Sequence, residues 1–262
     1  MAFLEVHFWS DALNLASSAY VLMPQAKVNA REREIPVLYL LHGYSDDHSI
    51  WMRRTAIERH IEMLAPNFAV IMPAIDHSWY TDMKHGNRYW TYLSEDLPQI
   101  MSSLFPLSEK REDTFVAGLS MGGYGALKLA LNQPERFLAC ASFSGACDMG
   151  IQMNGLDLND DFSREITDIF GTSSEFKGSE NDLFHQAGQI AHSKTIPNIY
   201  MACGTKDFLY QGNLNFLEHL KKLQIPVKWE ATPGRGHTWD YWDEQIQVAL
   251  KWFTALRLKA KE

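Results

Sequence analysis

The sequence predicts an α/β fold in which a mostly parallel sheet carries helices on both faces. Two observations predict this class. Continuous apolar runs recur along the chain, and Ile35–Leu41 is an example of the apolar character expected of a strand buried on both faces. Helix-like stretches separate most of these runs, and strands that alternate with helices are typical of parallel βαβ units.

The elements follow one another in a regular order. Phe3–Trp9 alternates apolar and polar residues, as a strand with one exposed face does. The predicted strands are Phe3–Trp9, Ser18–Met23, Ile35–Leu41, Phe68–Met72, Thr114–Ala117, Phe137–Phe143, Ile199–Cys203 and Val227–Ala231. The predicted helices are Ile50–Leu64, Tyr89–Leu104, Gly123–Leu131, Asn213–Leu223 and Tyr241–Leu256.

Residues 146–195 interrupt this alternation. The segment is polar, holds many Gly, Ser and Asp residues, and contains no obvious strand. An insertion of this length in a compact α/β domain usually forms a lid or a binding loop. We therefore predict that residues 1–262 form a single domain with a small lid-like insertion at about 146–195.

Composition and charge exclude several classes of protein. With 46% hydrophobic residues the chain of 262 residues can form a core, which excludes disorder. The 24 Lys and Arg against 32 Asp and Glu give a net charge of −8. Nucleic acids and anionic membranes require a basic surface, so neither is expected as the main partner. No apolar run approaches the roughly 20 residues that a bilayer needs.

The cysteines and the N-terminus predict a cytoplasmic location. Cys140, Cys147 and Cys203 are odd in number and have no C-x-x-C spacing, so we expect free thiols in a reducing compartment. The first residues lack the basic start and apolar core of a signal peptide.

The strongest chemical signal is a G-x-S-x-G motif at Gly118–Gly122. An apolar strand precedes it and a helical pattern follows, so Ser120 is expected on a sharp strand-to-helix turn with its hydroxyl raised at a helix N-terminus. The alternative is a glycine-rich phosphate-binding turn, but no G-x-G-x-x-G and no Lys-Ser or Lys-Thr pair is present there. We predict that Ser120 is a nucleophile.

A serine nucleophile needs a base, and His237 is the candidate. In the strand–turn–helix arrangement the partners follow in the order Ser, acid, His. His192 lies in the insertion and His219 inside a predicted helix, whereas His237 lies in a loop between the last strand and the last helix. The alternative for His237 is a capping or surface histidine.

Two carboxylates compete for the role of the acid that orients His237. Asp207 follows the buried strand Ile199–Cys203, and Asp148 follows the preceding strand. The position of Asp207 in the chain order and its turn favour it, with Asp148 as the alternative. The acid would hold one tautomer of His237 and stabilise the imidazolium ion.

An acyl-transfer intermediate also needs backbone N–H donors for its oxyanion. One is expected from Met121, directly after the nucleophile, and the other from the loop His42-Gly43-Tyr44 after an early strand. Gly43 allows the backbone to turn sharply, so the amide of Tyr44 is the candidate. His42 is interpreted as a structural hydrogen-bonding residue.

Together these motifs resemble the esterase D / S-formylglutathione hydrolase group of α/β-hydrolases. Within this group the chain is most similar to small bacterial carboxylesterases of the tributyrin and cinnamoyl or feruloyl type. The resemblance covers about residues 3–255 and implies an α/β-hydrolase fold, a triad of Ser120, Asp207 and His237, and an oxyanion hole at Tyr44 and Met121. The segments that carry it are Leu40–Tyr44, Ser78–Asp82, Gly118–Gly125, Cys203–Leu209 and Gly236–Trp239.

The resemblance predicts a serine carboxylesterase that hydrolyses short-chain or aromatic acyl esters through an acyl-enzyme. S-formylglutathione hydrolases carry a cysteine just past the oxyanion turn, where this chain has Ser45-Asp46-Asp47. A thioesterase of that kind or an acyltransferase is the alternative. A non-catalytic binding protein is disfavoured because all three triad residues are present.

The remaining expectations concern ligands. Trp79 and Tyr80 are candidates for the wall of the substrate pocket, although aromatic residues more often belong to a core. Asp157–Asp161 begins like a calcium loop, but Phe162 stands where glycine is required, so no metal and no cofactor are expected. The expected partner is a small acyl ester, and the sequence leaves a homo-oligomer open.

Overall fold

A computed structural model describes residues 1–25 and 34–262. The described residues form an eight-stranded sheet in the order β1-β2-β4-β3-β5-β6-β7-β8. Its strands are β1 Ala2–Ser10, β2 Leu15–Met23, β3 Val37–Leu41, β4 Ala69–Pro73, β5 Thr114–Leu119, β6 Ala139–Phe143, β7 Asn198–Gly204 and β8 Val227–Thr232.

The sheet is mostly parallel, as predicted. The strands from β4 through β3, β5, β6 and β7 to β8 pair in parallel, whereas β1 and β2 form an antiparallel hairpin that joins β4 at one edge. Every residue of β3, β4, β5 and β6 is buried, which accounts for their continuously apolar sequences. Along β1 half-buried and exposed residues alternate, which fits an edge hairpin with one solvated face.

Helices cover both faces of this sheet, so the predicted fold class is confirmed. The helices are α1 Ile50–Arg54, α2 Ile57–Leu64, α3 Tyr89–Thr91, α4 Leu97–Leu104, α5 Met121–Asn132, α6 Met149–Asn154, α7 Asp161–Phe170, α8 Ser173–Phe176, α9 Leu183–Ile190, α10 Tyr210–Lys222 and α11 Trp239–Ala260. Buried side chains of α1, α2 and α11 fill one core cluster, and those of α4, α5, α9 and α10 fill the other. In residues 1–25 and 34–262, no helix has the combined length and apolar character needed to span a bilayer.

Two of the predicted helices are interrupted. The stretch Ile50–Leu64 is divided between α1 and α2 because Thr55 is extended, and the N–H of Ala56 donates to the Asp243 carboxylate at 3.2 Å. The stretch Tyr89–Leu104 contains a π-helical turn at Tyr92–Asp96. The first break depends on a residue 187 positions away, which local periodicity cannot reveal.

The insertion is helical rather than irregular. Several of its polar residues cap helices: Asp160 accepts from the N–H of Ser163 at the start of α7, Thr172 and Glu175 form a capping box at α8, and Asp182 caps α9. Buried apolar side chains of these helices join one of the two core clusters under the sheet. The many Ser and Asp residues therefore mark short helices packed on the core.

The turn between β5 and α5 depends on two glycines. A Cβ added at Gly118 would lie 2.3 Å from the carbonyl oxygen of Gly122, and a Cβ added at Gly122 would lie 2.6 Å from the carbonyl oxygens of Leu41 and His42. Backbone atoms cannot give way at such distances as flexible side chains can. Strand β3, strand β5 and helix α5 therefore meet only because both positions lack a side chain.

We predict opposite effects for alanine at two glycines. Gly118→Ala should lower the free energy of unfolding by at least about 2 kcal/mol, because the backbone must move to admit the methyl group. Gly188→Ala, in α9 with no atom within 4 Å of the added Cβ, should raise it by about 0.5–1 kcal/mol because alanine reduces the entropy of the unfolded chain. Urea unfolding of both variants tests this, and equal effects would contradict it.

Candidate active site

Ser120, His237 and Asp207 meet at the carboxyl edge of the sheet, although the sequence separates them by up to 117 residues. Nε2 of His237 lies 3.1 Å from Oγ of Ser120, and Nδ1 of His237 lies 2.9 Å from Oδ2 of Asp207. They follow β5, β8 and β7, whose carboxyl ends point the same way in a parallel sheet. The imidazole therefore connects a hydroxyl to a buried carboxylate.

Ser120 has the strained backbone expected of this turn. Its φ is 54° and its ψ is −119°, a region that residues other than glycine rarely occupy. Its N–H donates to the carbonyl oxygen of Phe143 at 2.9 Å, and its own carbonyl accepts from Gly123, Tyr124 and Ala146. These bonds hold the turn, and the side chain stays partly exposed while the next residues of α5 are buried.

Asp207 is built to remain ionised. Its side chain is fully buried, and one carboxylate oxygen accepts from the N–H of Leu209 at 2.9 Å. Burial alone would raise the pKa of Asp207, but hydrogen bonds from His237, Ser144 and the Leu209 N–H outweigh it and lower the pKa below 3.8. A carboxylate held in this way fixes the orientation of the imidazole.

The competing carboxylate lies elsewhere. Asp148 precedes α6, and its Oδ2 accepts a hydrogen bond from Nδ2 of Asn215 at 2.9 Å. Nδ1 of His237 bonds to Asp207 instead. Of the two candidates weighed from the sequence, the structure therefore pairs Asp207 with His237.

The two predicted oxyanion donors flank Ser120. Met121 begins α5 directly after Ser120, and Tyr44 borders the same cavities as Ser120. Within the described part of the chain, neither backbone N–H donates a hydrogen bond to another protein group. Both amides are therefore available to an oxygen atom bound beside Ser120.

His42 holds the loop that carries the Tyr44 amide. Nδ1 of His42 bonds to the carbonyl oxygen of Gly43 at 2.8 Å, and Nε2 accepts from the N–H of Ile75 at 3.1 Å. This pattern requires a neutral ring protonated at Nδ1. Burial lowers the pKa of His42 to about 4, although the bond to Gly43 opposes the shift. His42 therefore has the structural role that the sequence suggested.

Two cavities border Ser120. The first, of about 320 Å³, lies under the insertion and α10. It is lined by Tyr44, Trp79, Ser120, Ala146, Cys147, Asp148, Met149, Ile151, Gln152, Phe162, Phe208, Leu209, Gln211 and Gly212. The second, of about 390 Å³, is the one bordered by His237, and its lining is Gly43, Tyr44, Ser45, Asp46, Leu119, Ser120, Phe208, His237, Trp239 and Trp242.

The two aromatic residues predicted for the pocket differ in position. Trp79 lines the first cavity. Tyr80 lines neither cavity: its side chain is fully buried, its hydroxyl donates to the carbonyl oxygen of His42 at 2.7 Å, and its ring lies against Gly125. The prediction that Tyr80 lines the pocket is therefore wrong, because its hydroxyl instead holds the loop that carries Tyr44.

Of the acidic residues of the insertion, Asp148 lines the first cavity, whereas Asp157, Asp160, Asp161, Glu165 and Asp168 line neither cavity. The hydroxyl of Tyr44 donates to Glu165, and Nδ1 of His77 lies 2.8 Å from the other oxygen of the same carboxylate. The rings of Tyr44 and His77 stack with centroids 4.0 Å apart. We call Tyr44, His77 and Glu165 the roof contact. Periodicity could not reveal it, because its members lie 33 to 121 residues apart in the chain.

Sequence analysis also missed a buried lysine beneath the site. Nζ of Lys128, in α5, donates to the carbonyl oxygen of Tyr80, to Oγ1 of Thr81 and to Oδ1 of Asn181 at 2.5–3.2 Å. Burial lowers the pKa of Lys128 to about 7. These bonds tie the nucleophile helix to the loop of Trp79 and to the insertion. A lone lysine within an otherwise apolar helix was the available signal.

In residues 1–25 and 34–262, no three His, Cys, Asp or Glu side chains are grouped so as to hold a metal ion. Asp157, the first residue of the calcium-like segment, accepts from the N–H and the side-chain amide of Asn159.

Comparison with known proteins places this geometry in a family. Residues 10–253 match the model of the family described as "Putative esterase". The chain belongs to this esterase family. With the serine hydrolase geometry described above, it is a serine carboxylic ester hydrolase of the α/β-hydrolase fold.

Three relatives match this esterase over nearly their whole length. It is 31% identical to an acetyl esterase of Caldicellulosiruptor saccharolyticus, over 97% of this chain and 98% of that protein. The fluorophosphonate-binding serine hydrolase F of Staphylococcus aureus superimposes with a TM-score of 0.87 at 35% identity, covering 96% and 98% of the two chains. An S-formylglutathione hydrolase of S. aureus gives 0.84 at 36% identity with the same coverage.

The buried His42 predicts an acid-sensitive stability. The pKa of His42 is near 6.5 in the unfolded chain and about 4 in the folded protein. The unfolded state therefore binds more protons between these two pH values. Acidification should therefore remove about 3 kcal/mol of unfolding free energy across this window. Urea unfolding from pH 7 to 4.5 measures it. His42→Gln should lose this part of the pH dependence, whereas substitution of the exposed His85 should not.

A paired substitution tests the acid. Asp207→Asn should lower kcat by about 10⁴, because the amide favours the wrong tautomer of His237, with a smaller effect on KM. Asp148→Asn is the matched control, because Asp148 lines the cavity but bonds to Asn215 and not to His237. It should lower kcat much less than Asp207→Asn does. Steady-state hydrolysis of p-nitrophenyl acetate compares the two, and a reversed order would mean that Asp207 is not the acid.

Proposed function

We propose that Ser120, His237 and Asp207 are the catalytic triad of this esterase, and that it hydrolyses short-chain or aromatic acyl esters through an acyl-enzyme. The observation that carries the proposal is the hydrogen-bonded line from Asp207 through His237 to Ser120, at 2.9 and 3.1 Å. A serine hydroxyl is a weak nucleophile, and a base oriented by a third group activates it.

Acylation begins when Oγ of Ser120 attacks the ester carbonyl carbon. Nε2 of His237 takes the hydroxyl proton as the new C–O bond forms, and the carbonyl oxygen becomes an oxyanion. The N–H groups of Tyr44 and Met121 donate to this oxyanion, and loss of one such donor typically costs on the order of 10²–10³ in rate. The intermediate then expels the alkoxide, which leaves as an alcohol with the proton from His237.

Deacylation repeats the sequence with water. His237 takes a proton from the water that attacks the acyl-enzyme, a second oxyanion forms, and the acid is released as the proton returns to Oγ of Ser120. Asp207 stabilises the imidazolium ion in both halves and stays ionised throughout. Atoms and charge balance without a cofactor.

The first cavity supports a preference for small acyl groups. At about 320 Å³ it lies at the lower end of the range for small-molecule pockets. Its wall includes Trp79, Met149, Ile151 and Phe162, which offer apolar surface to the acyl group, and of the acidic residues of the insertion Asp148 lines it. The limit on acyl length therefore follows from the volume of the cavity.

A thioesterase is the second candidate function, because of the likeness to the S-formylglutathione hydrolase of S. aureus. Hydrolysis of a thioester would use the same residues, with a thiol as the leaving group. We also propose a reducing, cytoplasmic environment and a small acyl ester as the partner. The three cysteines of the chain are buried and free, which supports the reducing environment.

A series of p-nitrophenyl esters from acetate to palmitate tests the acyl preference. Each methylene that finds apolar wall should gain about 0.8 kcal/mol, or about fourfold in kcat/KM, so the specificity constant should rise over the first members. Beyond roughly six to eight acyl carbons it should fall steeply, because the cavity is full. A value still rising at laurate would contradict the proposal.

Ser120→Ala serves as the control for the same series. It should abolish both ester hydrolysis and labelling by a fluorophosphonate, while the far-ultraviolet circular dichroism stays that of the wild type, because the partly exposed hydroxyl contributes little to packing. Mass spectrometry of the labelled wild type should locate the probe on Ser120. Labelling at another serine would overturn the assignment of the nucleophile.

A further inference from the structure

The position of His237 indicates which cavity holds the acyl group of the substrate and which holds its leaving group. In the proposed mechanism His237 must deliver a proton to the leaving oxygen or sulfur, which therefore has to lie within hydrogen-bond reach of Nε2. The second cavity is lined by His237 and the first is not. The acyl group then occupies the first cavity and the leaving group occupies the second.

The leaving-group cavity carries one carboxylate, from Asp46. Oδ2 of Asp46 lies 3.1 Å from the position of a Cβ on Gly43, and Cβ of Ser120 lies 3.7 Å from the same point. The carboxylate is thus close to the nucleophile. It is half-buried, so water screens its charge less than that of an exposed group.

Arg53 and Arg54 both act electrostatically on this carboxylate, but neither lines the cavity. No Lys or Arg side chain is among the residues that line it in the described part of the chain. Arg53 lies nearby, but its guanidinium bonds to Asp47 and Ser49. Arg235, which precedes His237, pairs with Asp240 and Glu244.

The rest of the wall also suits a positive charge. Trp239, Trp242 and Phe208 border the cavity, and Phe208 is 76% exposed. Aromatic ring faces attract cations, including quaternary ammonium groups, through the ring quadrupole. A carboxylate and three aromatic rings thus surround the place where the leaving group is released.

We propose that Asp46 is a specificity-determining residue that makes this esterase favour cationic over anionic leaving alcohols and thiols. The inference rests on the proposed function, because it takes its geometry from the role of His237. It also separates the two candidate functions, since the tripeptide thiol glutathione carries a net negative charge at neutral pH. Asp46 would repel this anionic leaving group and so disfavour its binding in the second cavity.

Three acetyl thioesters with the same acyl group test the proposal. S-Acetylthiocholine has a cationic thiol, S-acetyl-2-mercaptoethanol a neutral one and S-acetyl-3-mercaptopropionate an anionic one. Released thiol is measured at pH 8, because burial raises the pKa of Asp46 above its ordinary value and the carboxylate must be ionised. The expected order of kcat/KM is cation, neutral, anion.

Asp46→Asn should lower the cation-to-anion ratio of kcat/KM by about tenfold, as a unit charge a few ångströms away at a partly buried site implies. Asp47→Asn is the matched control, because Asp47 is exposed, bonds to Ser49 and Arg53, and does not line the cavity. It should leave the ratio within about twofold, because an exposed, screened charge has little effect.

The salt dependence of the wild type gives a second readout that needs no variant. Raising NaCl from 50 to 500 mM should reduce the cation-to-anion ratio, since added salt screens the carboxylate. An unchanged ratio in Asp46→Asn, or equal loss on all three thioesters, would overturn the proposal. Failure of the wild type to cleave any of the thioesters or p-nitrophenyl acetate would instead refute the proposed function itself.

Discussion

The close approach of three backbone segments behind Ser120 is the constraint on which the rest of the site depends. Gly118 and Gly122 let β5 and α5 pack against the end of β3 with no side chain between them. That contact fixes the strained turn at Ser120 and places the loop after β3, which carries Tyr44, beside Ser120. Asp207 follows β7 and His237 follows β8, and the carboxyl ends of these neighbouring strands bring Asp207, His237 and Ser120 within hydrogen-bond distance.

Strain at this edge of the sheet is widespread. Asp76, Trp79 and Tyr80 after β4, and Ser144 after β6, share the positive φ of Ser120 although none of them is glycine. Each such residue costs free energy that the surrounding contacts must offset. The buried hydrogen bonds of Lys128 to the Tyr80 loop, together with the bond from Trp242 to Ser144, provide contacts of this kind. Rigid neighbours therefore hold the site in one geometry.

The sequence could predict features that depend on neighbouring residues or on the order of motifs along the chain. Apolar runs gave the strands, and the G-x-S-x-G motif with the order Ser, acid, His led to Ser120, Asp207 and His237. The prediction that Tyr80 lines the pocket was wrong. Tyr80 follows Trp79, which does line the cavity, and the sequence does not show whether such an aromatic side chain points into the cavity or into the core. The bond from Tyr44 to Glu165 and the break at Ala56 depend on partners 121 and 187 residues away, for which one sequence holds no signal.

The roof contact joins two parts of the site that are usually considered separately. Glu165, from helix α7, whose residue Phe162 lines the first cavity, bonds to the side chain of Tyr44, the residue whose amide is proposed to hold the oxyanion. A substitution that shifts α7 would therefore also move the loop that carries this amide, because Glu165 and Tyr44 are hydrogen-bonded. In this scaffold, substrate range and turnover are not independent traits, and variants selected for bulkier acyl groups would have to preserve or replace this one hydrogen bond to keep their rate.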